Sequence, residues 1–429
     1  MMTIIIGLAA LFLLAGIGVP IAFAMAVSGF VGFGLVVGWG GAMAMVGQLT
    51  FDTALNYNLS VLPLFILMGN FITRARLSDD LYSAAYSMVG HFRGGLALST
   101  LMACAGFSAV CGSSLATAAT MSRVTMPSMR KFGYKDSLAA GAVAAGGTLG
   151  ILIPPSVALV LYGIMTNNDI GKLFIAGVLP GAVGLALYCL TVTVITTLDK
   201  KAGPPGTRAS WPEKLRTVKR VWGITALFVI VIGGIYTGIF TSTEAAGIGA
   251  SFSALFAIWR GGLRLRGVYE VLVESARMSA MIFAILIGAM IFANFVNVAG
   301  LLQALEAAIN AMDLTPMGVM IGIIIIYIIL GMVLESMSML LLTVPIFYPL
   351  AMAHGFDPIW FGIIVVVVIE ISLITPPVGM NVFTLRATLP DVSTATIFRG
   401  VAPFIVADIV RLALLVAVPW ITLVLPSHL

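Results

Sequence analysis

The residues with the clearest chemical potential are two proline pairs. Pro154-Pro155 lies within ILIPPS, and Pro376-Pro377 lies within LITPPVG. Proline has no backbone N–H and frees the carbonyl four residues earlier, so each pair predicts a broken helix with unpaired oxygens. Carbonyl oxygens beside Ser and Thr hydroxyls suit a hard monovalent cation, and the free N–H groups at a half-helix start suit a carboxylate. The alternative is that each pair only kinks a helix.

The two proline pairs belong to an internal duplication. They are separated by 222 positions (376 − 154). The same offset relates Ser114 to Ser336, Pro127 to Pro349, Gly133 to Gly355 and Asp169 to Asp391. Chance does not keep one register over so long a distance, so the chain contains two copies of one unit.

The amino-acid composition indicates that both copies are embedded in a lipid bilayer. Of 429 residues, 60% are hydrophobic and 9% are charged, against about 25% charged in a typical soluble domain. Apolar runs long enough to cross a bilayer recur, as at 3–19, 182–198 and 221–239. The N-terminal run lacks a basic leader and a cleavage site, so we expect it to be a retained span. The net charge of +5 lies in short loops, where it orients the chain and does not indicate nucleic-acid binding.

Loop charge predicts the topology. Residues 199–220 contain seven Lys and Arg against two acids, so this linker should be cytoplasmic. It divides the chain into a first repeat, 1–198, and a second repeat, 221–429, with opposite topology and both termini in the periplasm. We therefore expect an all-α polytopic membrane protein built as an inverted repeat, an architecture of many secondary transporters.

The sequence of each repeat predicts a re-entrant hairpin followed by a broken helix. The segment 95–130 starts and ends at basic loops, so it should enter and leave on the same side, with its tip at Gly112-Ser113-Ser114. The segment 315–352 runs between loops without Lys or Arg, with its tip at Leu334-Glu335-Ser336. The broken helices are expected at 136–170 and 358–390, and a C-terminal helix follows the second.

Two amphipathic segments precede the hairpins. They cover 77–93 and 301–313, and we expect helices that lie along the membrane interface. They would either act as arms that join two moving parts or serve as simple connectors.

Two acids lie in otherwise apolar stretches, where a charge costs on the order of 3 kcal/mol. Glu335, at a hairpin tip, is predicted to serve in a cation site or a gate, or else to cap its own helix. Glu370, six residues before Pro376, is predicted either to act as a titratable or gating group or to lock the broken helix to a neighbour.

Three further charged residues have structural alternatives. Glu244, in FTSTEAAG, is predicted to follow a cap at Ser242 or Thr243, with contact to a partner protein as the alternative. Arg386 could clamp a carboxylate. It lies nine residues after Pro377, about 13 Å along a helix, so snorkelling to the surface is favoured. The same argument applies to Arg123.

These features together resemble the large membrane (M) subunit of tripartite ATP-independent periplasmic (TRAP) transporters, over essentially the whole chain. The matching stretches are GIGVPIAFA, PLFILMGNFI, GFSAVCGSSLATAATM, GGTLGILIPPS, GIFTSTEAAGIGA and EISLITPPVGMNVF. The resemblance implies a multi-pass protein of the bacterial inner membrane that takes up a small organic acid. It also implies sodium as the coupling ion, no other cofactor, and an elevator in which a transport domain slides against a scaffold.

The resemblance further implies two partners and a set of site residues. The partners are a periplasmic substrate-binding protein and a small four-helix membrane subunit, which we expect to be a separate chain. The resemblance implies that a first cation site is formed by Gly112, Ser113, Ser114, Gly147, Thr148, Gly150 and Pro154. It implies that a second cation site is formed by Glu335, Ser336, Thr375, Pro376 and Gly379. The solute is expected between the tips, near Ser114, Ser336 and Asn381.

Other function classes fit less well. The three histidines form no HExxH motif and the chain has no GxSxG turn, so an enzyme is not expected, nor is a transition-metal site. A passive organic-anion channel would explain the hairpins but not the cation-like carbonyl clusters. A stand-alone sodium/dicarboxylate-type symporter shares the architecture and would need no binding protein. The sequence does not identify the acid.

Overall fold

Helices account for most of the structure, because a backbone in lipid must satisfy its polar groups internally. The computed structural model describes residues 2–75 and 77–428, and within them it contains helices and no β-strand. The prediction of an all-α membrane protein is confirmed.

Within the described residues, ten α-helices precede the basic linker. They are α1 (Met2–Gly16), α2 (Ile21–Val37), α3 (Trp39–Leu55), α4 (Val61–Arg74), α5 (Leu77–Val89), α6 (Gly95–Cys111), α7 (Ser114–Lys131), α8 (Asp136–Thr148), α9 (Val157–Thr166) and α10 (Ile170–Leu198). A 3₁₀ turn, Tyr57–Ser60, joins α3 to α4 with a bend of 58°.

The linker contains a helix of its own, α11 (Trp211–Arg220), and the second half follows. Its helices are α12 (Trp222–Phe228), α13 (Gly234–Tyr236), α14 (Ser242–Trp259), α15 (Leu265–Val298), α16 (Leu301–Ala311), α17 (Pro316–Gly331), α18 (Ser336–Ala353), α19 (Pro358–Ile374), α20 (Met380–Thr388), α21 (Thr394–Ala417) and α22 (Trp420–Leu423). One π-turn, Val229–Gly233, lies between α12 and α13, and a 3₁₀ turn, Pro426–His428, ends the described chain.

The duplication is visible in where helices begin. α7 and α18 start at Ser114 and Ser336, and α8 and α19 start at Asp136 and Pro358, so both pairs keep the offset of 222 (336 − 114 and 358 − 136). In each half, two helices joined by a short turn are followed by a helix that stops at a proline pair and resumes after it. The Pro154-Pro155 and Pro376-Pro377 peptide bonds are both cis.

The two copies interlock. α7, the returning arm of the first hairpin, packs against α20, where Ser122 Oγ donates to Thr388 Oγ1 at 3.2 Å. In the mirrored contact, α18 packs against α9, and Asn168 Nδ2 donates to Tyr348 Oη at 3.2 Å. The half-helices that follow the breaks are therefore each held by the hairpin of the other copy.

A second group of helices packs around α15. A Cβ atom added to Gly29 in α2 would lie 2.7 Å from backbone atoms of Phe292. α15 also contacts α4, which packs against α14. By length and composition, α10, α15, α18 and α21 can cross a membrane, and six spans result within the described residues if two bent helix pairs are added.

The linker is bound to the rest of the protein. Gly203 O accepts from Gly94 N at 2.9 Å, and Gly206 N donates to Gly90 O at 2.9 Å. Beyond them, Thr217 of α11 lies 2.8 Å, hydroxyl to hydroxyl, from Ser87 of α5. The linker thus runs along the base of the first hairpin and along α5, which ends four residues before the predicted boundary at 93.

Candidate functional site

The tip of the first hairpin lies directly against the first broken helix. Gly112, at the turn between α6 and α7, has φ of 64°, a backbone conformation that glycine adopts without strain. A Cβ atom added to it would lie 2.9 Å from the carbonyl oxygen of Pro155. A Cβ atom added to Gly150 would lie 3.1 Å from Ser113 O. The two glycines therefore let backbone meet backbone with no side chain between them.

The first break is buried and polar. Thr148, the last residue of α8, is fully buried, and Pro154 within the break is also buried. Ser156 caps the start of α9 by accepting from Leu159 N at 3.3 Å. Residues 149–156 therefore concentrate carbonyl and hydroxyl oxygens where lipid cannot reach them, as irregular backbone at membrane depth requires.

Asn381 brings a residue of the second copy to this place. It is fully buried near the start of α20, and its Nδ2 donates to Ala144 O at 3.0 Å. A Cβ atom added to Gly147 would lie 3.2 Å from Asn381 Nδ2 and 3.2 Å from Ser114 O. Within the described residues, Asn381 Oδ1 has no hydrogen-bond partner. An unsatisfied buried amide oxygen is uncommon, and oxygen is the ligand that hard cations prefer.

The tip of the second hairpin lies beside α1 and α2, and not at the first break. Glu335 caps α18, and its Oε2 accepts from Met337 N and Ser338 N, each at 3.0 Å. Ser336, the first residue of α18, is buried. The tip borders a cavity of about 310 Å³ whose other wall consists of Phe12, Ala15, Gly16, Val19 and Ile21 from α1, α2 and the turn between them. Glu335 therefore has the local capping contacts that were its alternative prediction, beside an open space.

The second break is more exposed than the first. Pro376 is exposed, and Thr375 Oγ1 donates to Ile371 O at 2.6 Å. Gly379 has φ of 61° at the start of α20. Among the described residues, Glu335 and Ser336 make no side-chain hydrogen bond to this break.

Glu370 has a partner that the sequence reasoning missed. Its Oε2 accepts from Arg411 Nη2 at 2.5 Å, and the same Nη2 lies 2.9 Å from Asp408 Oδ1. All three side chains are 0% exposed. The available signal was DIVR, 408–411, an acid and a base one turn apart inside the otherwise apolar 400–418.

The remaining charged candidates have structural contacts. Glu244 belongs to a capping box with Thr241, whose N donates to Glu244 Oε2 at 2.9 Å. The predicted cap at Ser242 or Thr243 is therefore wrong, because both lie inside the helix. Arg386 donates to the carbonyl oxygens of two residues that follow α20, Pro390 and Val392, so it braces the chain after the helix. Arg123 is exposed.

The structure thus brings part of the predicted set together. Gly112, Ser113, Ser114, Gly147, Gly150 and Asn381 meet at the first break, and Thr148 adjoins it. The N-terminal ends of α7 and α20 meet at the same place, so two sets of free N–H groups lie near one group of carbonyl oxygens. This arrangement can hold a cation and a carboxylate side by side.

Comparison with known proteins shows the family to which the chain belongs. The family model described as "Tripartite ATP-independent periplasmic transporter, DctM component" matches residues 8–421. The C4-dicarboxylate TRAP transporter large permease protein DctM of Pseudomonas aeruginosa is 39% identical over 381 residues, 88% of each chain. The sialic acid TRAP transporter large permease protein SiaM of Vibrio cholerae is 35% identical over 379 residues, 87% of each chain.

A solved structure shows the same fold. The YdaH transporter of Alcanivorax borkumensis aligns with a TM-score of 0.61 and 14% identity, covering 90% of this chain and 89% of that one. The family is one of transporter permeases, and the apolar helices make the chain a multi-pass membrane protein. Because the family model spans nearly the whole sequence and these relatives exceed 30% identity over most of it, the chain belongs to the DctM family of large permease proteins of TRAP transporters.

Proposed function

We propose that the protein couples an inward sodium gradient to uptake of a small organic acid across the bacterial inner membrane. The observation that carries this proposal is the meeting of the first hairpin tip, the first break and Asn381. A buried group of oxygens at membrane depth is favourable only if a partner compensates it. A monovalent cation that travels with the solute supplies that partner.

The helix starts at this place support a carboxylate solute. α7 begins at Ser114 and α20 begins at Met380, and each leaves N–H groups without intrahelical partners. Such ends favour negative charge by typically about 0.3–1 kcal/mol each. A sodium ion beside them would add attraction for an anion, which makes binding of the two mutually dependent. C4-dicarboxylates and sialic acid, in the names of two relatives, both carry a carboxylate.

The packing supports an elevator of two bodies. In this proposal the hairpins and broken helices, α6–α9 and α17–α20, form the transport domain, and α1–α4, α14 and α15 form the scaffold. A cavity of about 260 Å³ lies between the two groups, with Asp52 and Asn294 on one side and Ile164 and Pro345 on the other. Incomplete packing along such a boundary favours sliding, because close-packed surfaces resist it. α5 and α16 would join the bodies as arms.

Two partners complete the proposal: a periplasmic protein that delivers the solute, and a separate small four-helix membrane subunit. Exposed apolar side chains on α2 and α3, including Phe23, Leu35, Trp39 and Met43, offer an outer scaffold face to lipid or to that subunit. The binding protein would make first contact with the solute and so choose among organic acids.

The test is uptake into liposomes that contain the chain and its small subunit. Radiolabelled succinate and sialic acid would be offered with and without the binding protein, and with and without an imposed sodium gradient. We expect uptake to require both. Uptake that needs sodium but not the binding protein would indicate a stand-alone symporter. Downhill flux that needs neither would indicate a channel, and either result would overturn the proposal.

A further inference from the structure

A buried chain of polar side chains joins the two broken helices. It starts at Thr148, the last residue of α8, and ends at Glu370 in α19. These two positions correspond in the duplication, since 370 − 148 is the same offset of 222. Tyr188 of α10 and Asp408 and Arg411 of α21 lie between them, and all five residues are 0% exposed.

The members of this chain, the inter-repeat network, contact one another in sequence. Thr148 Oγ1 lies 3.1 Å from Tyr188 Oη, and Tyr188 Oη donates to Asp408 Oδ2 at 2.6 Å. Arg411 Nη2 then lies 2.9 Å from Asp408 Oδ1 and 2.5 Å from Glu370 Oε2. Packed hydrophobic residues often match or exceed the stability of such a buried ionic group. Stability alone therefore does not account for the network.

The number of hydroxyl hydrogens determines which group donates and which accepts at each hydrogen bond of the network. Tyr188 has one hydroxyl hydrogen, and it goes to the carboxylate of Asp408. The contact between Tyr188 and Thr148 therefore requires Thr148 to donate. Thr148 also has one hydrogen and two acceptors within reach, Ala145 O at 2.7 Å and Tyr188 Oη at 3.1 Å. Thr148 is thus an element with two arrangements, beside the first candidate cation site.

A cation bound at the first break would affect which of its two acceptors, Ala145 O or Tyr188 Oη, Thr148 donates to. Its charge polarises the Thr148 O–H group and strengthens the hydrogen bond that this group donates. A stronger bond to Tyr188 strengthens the Tyr188 bond to Asp408, because hydrogen bonds in a chain reinforce one another at low dielectric. Asp408 then attracts Arg411 less, and Arg411 bonds more strongly to Glu370. Glu370 lies five residues before Thr375, about 7.5 Å along α19, where the second candidate cation site begins.

We propose that the inter-repeat network couples the two cation sites, so that sodium bound at one changes the affinity of the other. The inference rests on the proposed sodium coupling. In it Tyr188 is a positioning residue, because its hydroxyl acts through Thr148 and Asp408 and does not itself touch the ion. Binding linkage is reciprocal, so coupling from the first site to the second is equal to coupling in the other direction.

The test compares two tyrosine hydroxyls. Tyr188→Phe removes the bridging oxygen and keeps the ring. Tyr162→Phe is the matched control, because Tyr162 is also 0% exposed and its hydroxyl donates at 2.6 Å to Pro358 O, which joins the same two copies. Equilibrium binding of radioactive sodium to the purified protein would be measured over a range of sodium concentrations, with choline holding the ionic strength constant. Melting temperatures in choline would report the fold of each variant.

For the wild type and Tyr162→Phe we expect a Hill coefficient approaching about two, the limit for two sites. For Tyr188→Phe we expect a value near one and a half-saturating sodium concentration raised at least about fivefold. If Tyr188→Phe does not fold, Asp408→Asn, which keeps the side-chain shape, should show the same loss. Cooperative wild-type binding that Tyr188→Phe or Asp408→Asn leaves unchanged, or a wild-type coefficient of one, would overturn the coupling. Absence of saturable sodium binding by the wild type would instead overturn the proposed function.

Discussion

Replacing Arg411 with methionine should destabilise the protein more than a change at either carboxylate that it contacts. Its Nη2 lies 2.5 Å from Glu370 Oε2 and 2.9 Å from Asp408 Oδ1, and no part of the three side chains is exposed. With all three ionised, the cluster holds one positive and two negative charges. Arg411→Met leaves two buried carboxylates without a cation, whereas Glu370→Gln leaves one carboxylate facing one guanidinium.

The expected magnitudes follow from the contacts. Arg411 donates a hydrogen bond to Glu370 and forms an ion pair with Asp408. Removing one partner of a buried ion pair costs about 3–5 kcal/mol, because the remaining charge is left buried without compensation. Glu370→Gln keeps an accepting oxygen and weakens one contact, a loss of about 1–2 kcal/mol. At about 2 °C per kcal/mol, the melting temperature falls by about 6–10 °C for Arg411→Met and about 2–4 °C for Glu370→Gln.

Thermal unfolding in one detergent, followed by intrinsic fluorescence, measures these shifts. Arg74→Met is the matched control, since the Arg74 guanidinium lies 3.9 and 3.7 Å from Glu270 and Glu274 and its side chain is 45% exposed. Such pairs contribute about 0–1 kcal/mol, so this variant should melt within about 2 °C of the wild type. The reasoning is refuted if Arg411→Met is as stable as Arg74→Met, or if Glu370→Gln is the less stable of the two buried variants.

Three further outcomes are expected. Gly112→Ala should reduce uptake at least about fivefold relative to Gly133→Ala, because both glycines have positive φ but a Cβ atom at Gly133 meets nothing within 4 Å; equal uptake would show that the tip does not need close approach to the break. Glu335→Ala should lower the sodium dependence of uptake more than the folded yield, and equal losses would limit Glu335 to its cap. The hydrogen bond from Arg130 lowers the pKa of Asp391 below its ordinary 3.8, so the stabilisation from this pair is present above that value and lost as pH falls through the lowered pKa. The melting-temperature gap between wild type and Asp391→Asn should therefore stay constant between about pH 5 and 8 and narrow only below about pH 4; a gap that narrows between pH 7 and 5 would contradict this assignment.

The repeated unit is largely predictable from the sequence, because its signals are local. Gly112 permits the turn of a hairpin tip, and the adjacent Pro154 and Pro155, which both lack a backbone N–H, interrupt the helical hydrogen bonds locally. The Glu244 cap was predictable too, since Thr-x-x-Glu is the capping-box pattern and points to Thr241. Ser242 and Thr243 do not stand three positions before the glutamate, so neither can form this reciprocal pair with it.

Several features of the site could not be predicted, because they depend on contacts between residues that are far apart in the sequence. Glu370 and Arg411 are 41 residues apart on different helices, and no local pattern chooses between a gating role and a buried pair. The position of Glu335 beside α1 and α2 depends on how the second hairpin packs against the scaffold. The contact of Asn381 with the first break arises from the interlocking of the two copies, which no register argument specifies.

The central claim is that the first hairpin tip, the first break and Asn381 together hold a cation. The most direct measurement is an experimental density map of the protein in saturating sodium, compared with one in choline. We expect sodium-dependent density among Ser114, the 147–150 backbone and Asn381 Oδ1, and its loss in Asn381→Ala. A map in which these groups lie apart, or in which they face one another with identical density in sodium and in choline, would contradict the claim.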